Sequence, residues 1–514
     1  MLTHRPQLLN RDFSETVEWN VPEVREQLGS LEEWIAKSAE RGEAAHEVER
    51  GLFDRLLRLG TTLFGAFLKL VGPGDLGETA TLDDGRAVPR LREQHTRRLL
   101  TVFGPFDIAR WVYAQRDGQK IELAPTDQRL QLPESELSYL LQEWNQLLGV
   151  EHAFGKVRDT INTILRLKQS VDTLERNNQQ MSETVLEFHE SQPPVKPSED
   201  AELLVVTEDN KGIPMVRPPE EKPVGAHLKK GEKANKKQMA CLGCVYSVDP
   251  HMRTPDELVA ILFRDPDRPQ SKPPEAKQKR YWAELTRPID DGIMWRGQEM
   301  VFAHMRDEIE KRRRPKQVLI HLCDGQRSLE TDRQAYLPTD ANTVDILDLM
   351  HAIPRLWEAA HVFHDEGSNE ASAFVRERLL RVLNGEIASV VHGLRYQGTV
   401  RGLTGAKRQR LNRACAFLKA NEYRMRYDAY LKAGYPIATG VIEGACRHVI
   451  KDRMERAGMR WQVPGAQAML HLRAISASGD WESFQRFRIN SENQRLYPNK
   501  RALKDIDWTF TLAV

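Results

Sequence analysis

Five cysteines are scattered through 514 residues. An odd number without regular spacing argues against a disulfide framework and predicts a reducing, cytoplasmic setting. Long apolar runs are missing too: "LGTTLFGAFL" (59–68) is bounded by Arg58 and Lys69 and is too short to span a bilayer. The opening "MLTHRPQLLNRDF" has no apolar signal-peptide core, so no membrane partner is expected. Net charge is nearly absent, 75 Lys plus Arg against 74 Asp plus Glu, so a polyanionic partner must be met by local clusters. A P-loop, a dinucleotide fingerprint, a GxSxG elbow and an HExxH pair are all lacking, which removes nucleotide-driven, serine-nucleophile and catalytic-zinc chemistry. "CLGC" (241–244) has no second Cys/His pair at ligand spacing, so Cys241 and Cys244 read as small buried residues and no zinc is expected.

With 40% hydrophobic and 29% charged residues, the chain is of soluble globular type, long enough for about three domains. Basic clusters occur at "HLKKGEKANKK" (227–237), "KRRRPK" (311–316) and "RGLTGAKRQRLNR" (401–413). Helical periodicity over residues 15–72 marks an N-terminal region, 1–90. "RRLLTVFGPFDIARWVYAQ" (97–115) reads as a hairpin around Gly104-Pro105, within an element at 91–130. Amphipathic helices follow in 131–189. They are compatible with a helix-turn-helix that binds DNA, or with plain helical packing. A Pro-rich, charged stretch, 190–202, reads as a linker.

Beyond the linker come strand-like runs that end in carboxylates. "AELLVVTEDNKGIPM" (201–215) ends its apolar run at Asp209 before a Gly212-bearing turn, and "QVLIHLCDGQRSLE" (317–330) ends at Asp324. "MACLGCVYSVD" (239–249) is another strand, and "TVDILDLMHAIPRLWEAA" (343–360) carries Asp345, Asp348 and His351 into a helix. Strand ends are where α/β sheets place their sites. Alternation turns Glu208 away from Asp209, so only one of the two reaches such a site. Asp345 and Asp348 are alternative ligands, while Asp348 and His351 could instead orient the helix or contact DNA.

In "GVIEGACRHVIKDRMERAGMRW" (440–461), helical spacing puts Glu443, Arg447 and Lys451 on one face. Taken alone this is a salt-bridged surface helix. With Asp209 and Asp324 it becomes a carboxylate trio able to hold two Mg²⁺ or Mn²⁺ ions for in-line phosphoryl transfer. Gly440, Gly444 and Ala445 would allow close approach. Arg447, Lys451 and Arg460, with Lys236, Lys237, Arg312 and Arg313 from the other clusters, would meet DNA phosphates, and Trp461 would stack or pack.

These stretches, above all "NEYRMRYDAYLKAGYPIATGVIEGACRHVIKDRMERAGMRW" (421–461) with "DNKGIPM", "CDGQRSL" and "DILDLMHAIPRLWEAA", resemble the DDE transposases of bacterial insertion sequences, most closely the ISKra4 type. The resemblance covers most of 200–475. It implies an α/β multidomain protein whose RNase H-like core (203–351 and 431–475) is interrupted by a helical insertion (352–430) and followed by a tail (476–514). It also implies a catalytic, metal-binding triad of Asp209, Asp324 and Glu443, and cleavage and joining of DNA at the element's terminal inverted repeats by a homo-oligomer. Relatives often carry Gly after the first Asp, where this chain has Asn210. Glu443 lies 119 residues (443 − 324) beyond Asp324, which requires an insertion. The rival readings are a non-catalytic DNA-binding repressor and an RNase H-like nuclease that cuts without joining.

Overall fold

The computed structural model describes residues 22–216, 236–269, 272–288, 292–438, 440–456 and 458–504. The lysine-rich cluster at 227–235 lies outside them. The chain divides into two compact units. One comprises residues up to 145, 157–170 and 489 onward; the other comprises 146–156 and 171–488.

In the first unit, α1 (Pro22–Glu40) and α2 (Ala45–Val71) run antiparallel. Arg55 lies 3.8 Å over the Trp34 ring, and Thr62 donates to Gln27 at 3.0 Å. The expected hairpin is present as β1 (His95–Thr101) and β2 (Gly104–Arg110), in register from His95↔Arg110 to Thr101↔Gly104. Gly104 takes a φ of +124°, which a side chain would oppose. Phe64 and Leu68 of α2 pack on Leu99, Ile108 and Leu132, and Asp127 neutralises Arg97 and Arg110 at 2.7 Å each.

The second unit is built on a mixed five-stranded sheet: β3 (Leu203–Met215), β4 (Lys236–Val248), β5 (Lys277–Leu285), β6 (Leu319–Cys323) and β7 (Thr343–Leu347), in the order β7-β6-β3-β4-β5. The first three form an antiparallel meander; β6 runs parallel to β3, and β7 parallel to β6. Two features depart from the sequence reading. Strand β3 does not turn after Asp209 but continues through Gly212 to Met215, paired all the way with β4, because buried Ile213 and Met215 resume the apolar alternation. Strand β5 was hidden because its first residues, Lys277 to Arg280, are charged or polar and only Tyr281–Leu285 are buried.

Helix α3 (Gly297–Arg312) was likewise masked by its charged end, yet it buries Val301, Phe302, Met305 and Ile309 against Leu204, Val206, Cys241 and Val245. Gly243 makes that approach close, since a Cβ there would sit 2.4 Å from Val301 Cγ1. Edge strand β5 is covered by α6 (Val463–Ser478): Gln467 bonds the Leu285 N–H and the Ala283 carbonyl, and Ser478 accepts from the Tyr281 N–H. Covering the edge removes a template for unwanted strand pairing. Between β7 and α5 (Gly440–Ala445) the chain is helical, beginning with α4 (Leu349–Phe363) and continuing through Asn369–Leu383, Ile387–Val400 and Gly405–Ala420.

Candidate functional site

The parallel register explains why three aspartates meet. The last pair between β3 and β6 is Thr207↔Leu322, and the last between β6 and β7 is Cys323↔Leu347. Two residues beyond the first pair stand Asp209 and Asp324; one residue beyond the second stand Asp324 and Asp348. The three thus form a row across adjacent strands, which lie about 4.8 Å apart. The Asp348 N–H donates to the Cys323 carbonyl at 2.8 Å, extending the ladder to the row itself.

Asp348 also caps α4, accepting from the Met350 N–H at 2.9 Å and pairing with His351 Nδ1 at 3.0 Å. Asp348, His351 and Glu443 offer ligand atoms that all lie within 4.8 Å of one another. Asp209 and Asp324 are close enough to act electrostatically on the same cluster. Burial, and then the nearby Asp209, push the Asp324 carboxyl above its ordinary range, while the Gln326 N–H and His351 oppose the rise. Glu443 is raised by burial, Asp348 and Asp209. Its hydrogen bond to Asp348 and the surrounding carboxylates hold the His351 imidazole above its usual value. This is crowded negative charge, offset by His351 and, at Asp324, by Arg424, and its hard oxygen donors fit a divalent cation.

Behind the row lies a buried network that sequence reasoning missed. Glu208 accepts from His321 Nε2 at 2.9 Å, and His321 Nδ1 lies 3.4 Å from Asp345. Arg333 then pairs with Asp345 at 3.0 Å and Glu330 at 2.8 Å, and Arg424 with Glu330 at 2.6 Å. Burial lowers the His321 pKa, but Glu208 and Asp345 outweigh it and raise the ring to about 9. Burial, with Asp324 adding to it, pushes Glu208 the other way, toward its neutral form. The charged imidazole is the consistent state, because two carboxylates flank one ring and Asp345 is held low against its own burial by His321 and Arg333. The ring ties β3, β6 and β7 together directly beneath Asp209, Asp324 and Asp348. A lone His within the apolar run "VLIHLC", with a Glu at the end of "LLVVTE", is the signal that could have found it.

Glu443 sits in the single α-turn of α5, and the chain then forms a π-helical turn over Cys446–Lys451. A π-turn takes more residues per turn, and at a spacing of four Glu443, Arg447 and Lys451 stay together on the exposed side of this segment. The turn buries Cys446, whose thiol is pushed up by burial and by the nearby Asp209 carboxylate. Arg447 and Lys451 are exposed, and Arg447 lies 3.7 Å from Asp452. Arg460 is exposed, whereas Trp461 is buried, extends the backbone pairing at Met215 and donates to the Met454 carbonyl. Trp461 is therefore a packing residue.

The other cations expected at DNA divide. Lys237 pairs with Glu455 at 2.5 Å and stays half exposed; the side chain of Lys236 lies outside the described residues. Arg312 is a correction: its side chain is wholly buried, held by Asp200 at 2.6 Å and by the Gln278 carbonyl. Arg313 is a second correction, since a two-pronged pair with Asp340 occupies its guanidinium. Both tie the chain around the sheet. Cys241 and Cys244 are buried free thiols, in keeping with their reading as packing residues.

No family model matches the chain, and no curated protein matches its sequence. Among solved structures it is similar to a chain of the "Drosophila P element transposase strand transfer complex", with 11% identity over 70% of this chain and 85% of that one and a TM-score of 0.23. Among the described residues no helix is long and apolar enough to cross a membrane.

Proposed function

We propose that the protein is a DDE-type DNA transposase resembling the ISKra4 type, with an RNase H-like core and a helical insertion at 352–430. The observation that carries this reading is the row Asp209, Asp324 and Asp348 across three adjacent parallel strands, Asp324 and Asp348 just past the ends of β6 and β7 and Asp209 level with them within β3, with Glu443 and His351 brought to it from two helices. An antiparallel meander extended on the side of its first strand by two parallel strands, β6 and then β7, supports the core assignment. The helices between β7 and α5 support the insertion.

In this reading Asp209, Asp324 and Glu443 would hold Mg²⁺ or Mn²⁺, and Asp348 would join them as a ligand or serve as the anchor of His351. Bound there, two such ions supply Lewis-acid activation of the attacking and leaving oxygens. The chain's own part is placement. The strand ladder fixes the aspartates, the Glu208–His321–Asp345 network holds the strands together beneath them, and Asp348 orients His351 through Nδ1. Exposed Arg447, Lys451 and Arg460 are the cations for the flanking phosphates, with Lys237 available if it leaves Glu455. One site serves both cutting and joining, because each is the same in-line displacement at phosphorus.

The test is a joining assay with purified full-length protein, labelled DNA from the borders of its gene, and Mg²⁺. A labelled end covalently joined to unlabelled target supports a transposase. Cutting without joining favours the nuclease, and binding without cutting favours the repressor.

A further inference from the structure

The helices between β7 and α5 return to the sheet beside the carboxylate row, and their last segment lies against the ends of the two strands that carry it. Strand β6 ends at Cys323 and β7 at Leu347, each the residue before an aspartate, Asp324 and Asp348. Arg424, only 5% exposed, donates through Nη1 to the Cys323 sulfur at 3.1 Å, and the Tyr427 hydroxyl donates to the Leu347 carbonyl at 2.9 Å. The residue ahead of each aspartate is thus held by the same stretch of chain.

Asp324 needs such a hold more than Asp348 does. Asp348 is fixed as the cap of α4. Asp324 lies past the last ladder pair of β6, in a short loop before the helix Arg327–Tyr336, with Gly325 at a φ of +84° in its middle. Arg424 grips this loop from both sides. The Nη1 that meets Cys323 also reaches Glu330 of that helix at 2.6 Å, and Nε donates to Asn421 Oδ1 at 2.9 Å. Asn421 and Phe417 close over the loop, since a Cβ at Gly325 would sit 3.3 Å from Asn421 Oδ1 and 3.2 Å from Phe417 Cζ. Phe417 is held in turn by Arg355 of α4, 4.7 Å over its ring. Charge balance does not account for Arg424, because Arg333 already pairs with Glu330 at 2.8 Å and taking a second guanidinium out of water is costly.

We infer that Arg424 is a positioning residue for Asp324: its planar fork fixes the loop that presents the Asp324 carboxylate to a divalent cation, so the helical insertion is part of the mould of the site. This inference rests on the metal-site reading above. A charge role and a positioning role predict opposite signs. A guanidinium acting only as a nearby cation repels a metal ion, so removing it would tighten binding. As a support it keeps the carboxylate in place, and losing such a supporting partner weakens metal binding about 10- to 100-fold. Lysine keeps the charge but lacks the fork.

The experiment is an Mn²⁺ titration of the full-length protein, followed by loss of the free-ion electron paramagnetic resonance signal, for wild type, Arg424→Lys, Arg424→Met and Asp324→Asn. The control is Arg312→Met, which removes a buried guanidinium pair near the starts of β3 and β6, the other end of these strands. Circular dichroism checks that each variant is folded; if the Arg424 variants are not, Asn421→Ala is read in their place. The expected result is equal affinity for wild type and control, weakening of about tenfold or more for both Arg424 variants, and loss of the site in Asp324→Asn. Wild-type affinity in Arg424→Lys, tighter binding by Arg424→Met, or equal weakening in Arg312→Met would overturn the inference and leave the metal-site reading standing. Wild type that binds no Mn²⁺, or binding untouched by Asp324→Asn, would overturn both.

Discussion

Replacing His321 by Leu separates a structural network from a coincidence of buried charges. The ring is 1% exposed and bonds Glu208, itself 1% exposed, at 2.9 and 3.0 Å. Removing it strands the Glu208 carboxylate in a dry interior, and breaking a buried pair from one side costs about 3–5 kcal/mol. The pH dependence gives a second figure for the same network. The folded pKa of about 9 stands above the usual 6.5, so the stabilisation is fully present below pH 6.5 and is lost as pH rises through 9. That difference of roughly 2.5 units, at 1.36 kcal/mol each, amounts to about 3 kcal/mol. Urea denaturation of wild type should therefore show a progressive loss of about that size on the alkaline side, which His321→Leu should lack. The double variant Glu208→Leu/His321→Leu should recover most of the cost, because apolar residues of similar volume can replace a buried pair. A single variant costing under about 1 kcal/mol, or a double variant worse than the single, would refute the network.

Other outcomes follow from the same packing. Gly243→Ala should cost about 1–3 kcal/mol by overpacking, since its Cβ would meet Val301 and Met305 at 2.4 and 2.7 Å; thermal unfolding checks it. Glu284 is pushed up by burial but drawn down further by His471 and Arg287, to about 2. Its stabilisation is present above pH 4.5 and fades as pH falls through 2, so acid titration of Glu284→Gln should converge on wild type in that window. Arg453→Met should cost about 2–3 kcal/mol in urea, because it strips the donor from the Gly149 carbonyl and empties the space beside Phe154 and Trp461.

What could be read from the sequence was what periodicity and punctuation announce. The N-terminal helices, the hairpin at Gly104-Pro105, the parallel strands at 319–323 and 343–347, and aspartates at their ends were all visible. Strand β5 and helix α3 were not, because charged segments flank or overlie short buried faces and only tertiary packing reveals which side is dry. The run of β3 beyond Asp209 was missed for a related reason: Asn210, Lys211 and Gly212 resemble a turn until β4 supplies partners for them. The π-turn at 446–451 has no pattern of its own in the sequence. Arg312 shows the limit of charge-cluster reasoning, since a cation in a basic run can be the most buried member of its neighbourhood.

Movement of a marker flanked by the gene's own bordering DNA, scored in cells for wild type, Asp324→Asn, Glu443→Gln and the surface control Glu310→Gln, tests the carboxylate site most directly. The account predicts excision and reinsertion for wild type and the control and none for the two site variants, with all four proteins present at equal levels. Movement by Asp324→Asn or Glu443→Gln at the wild-type rate would contradict it.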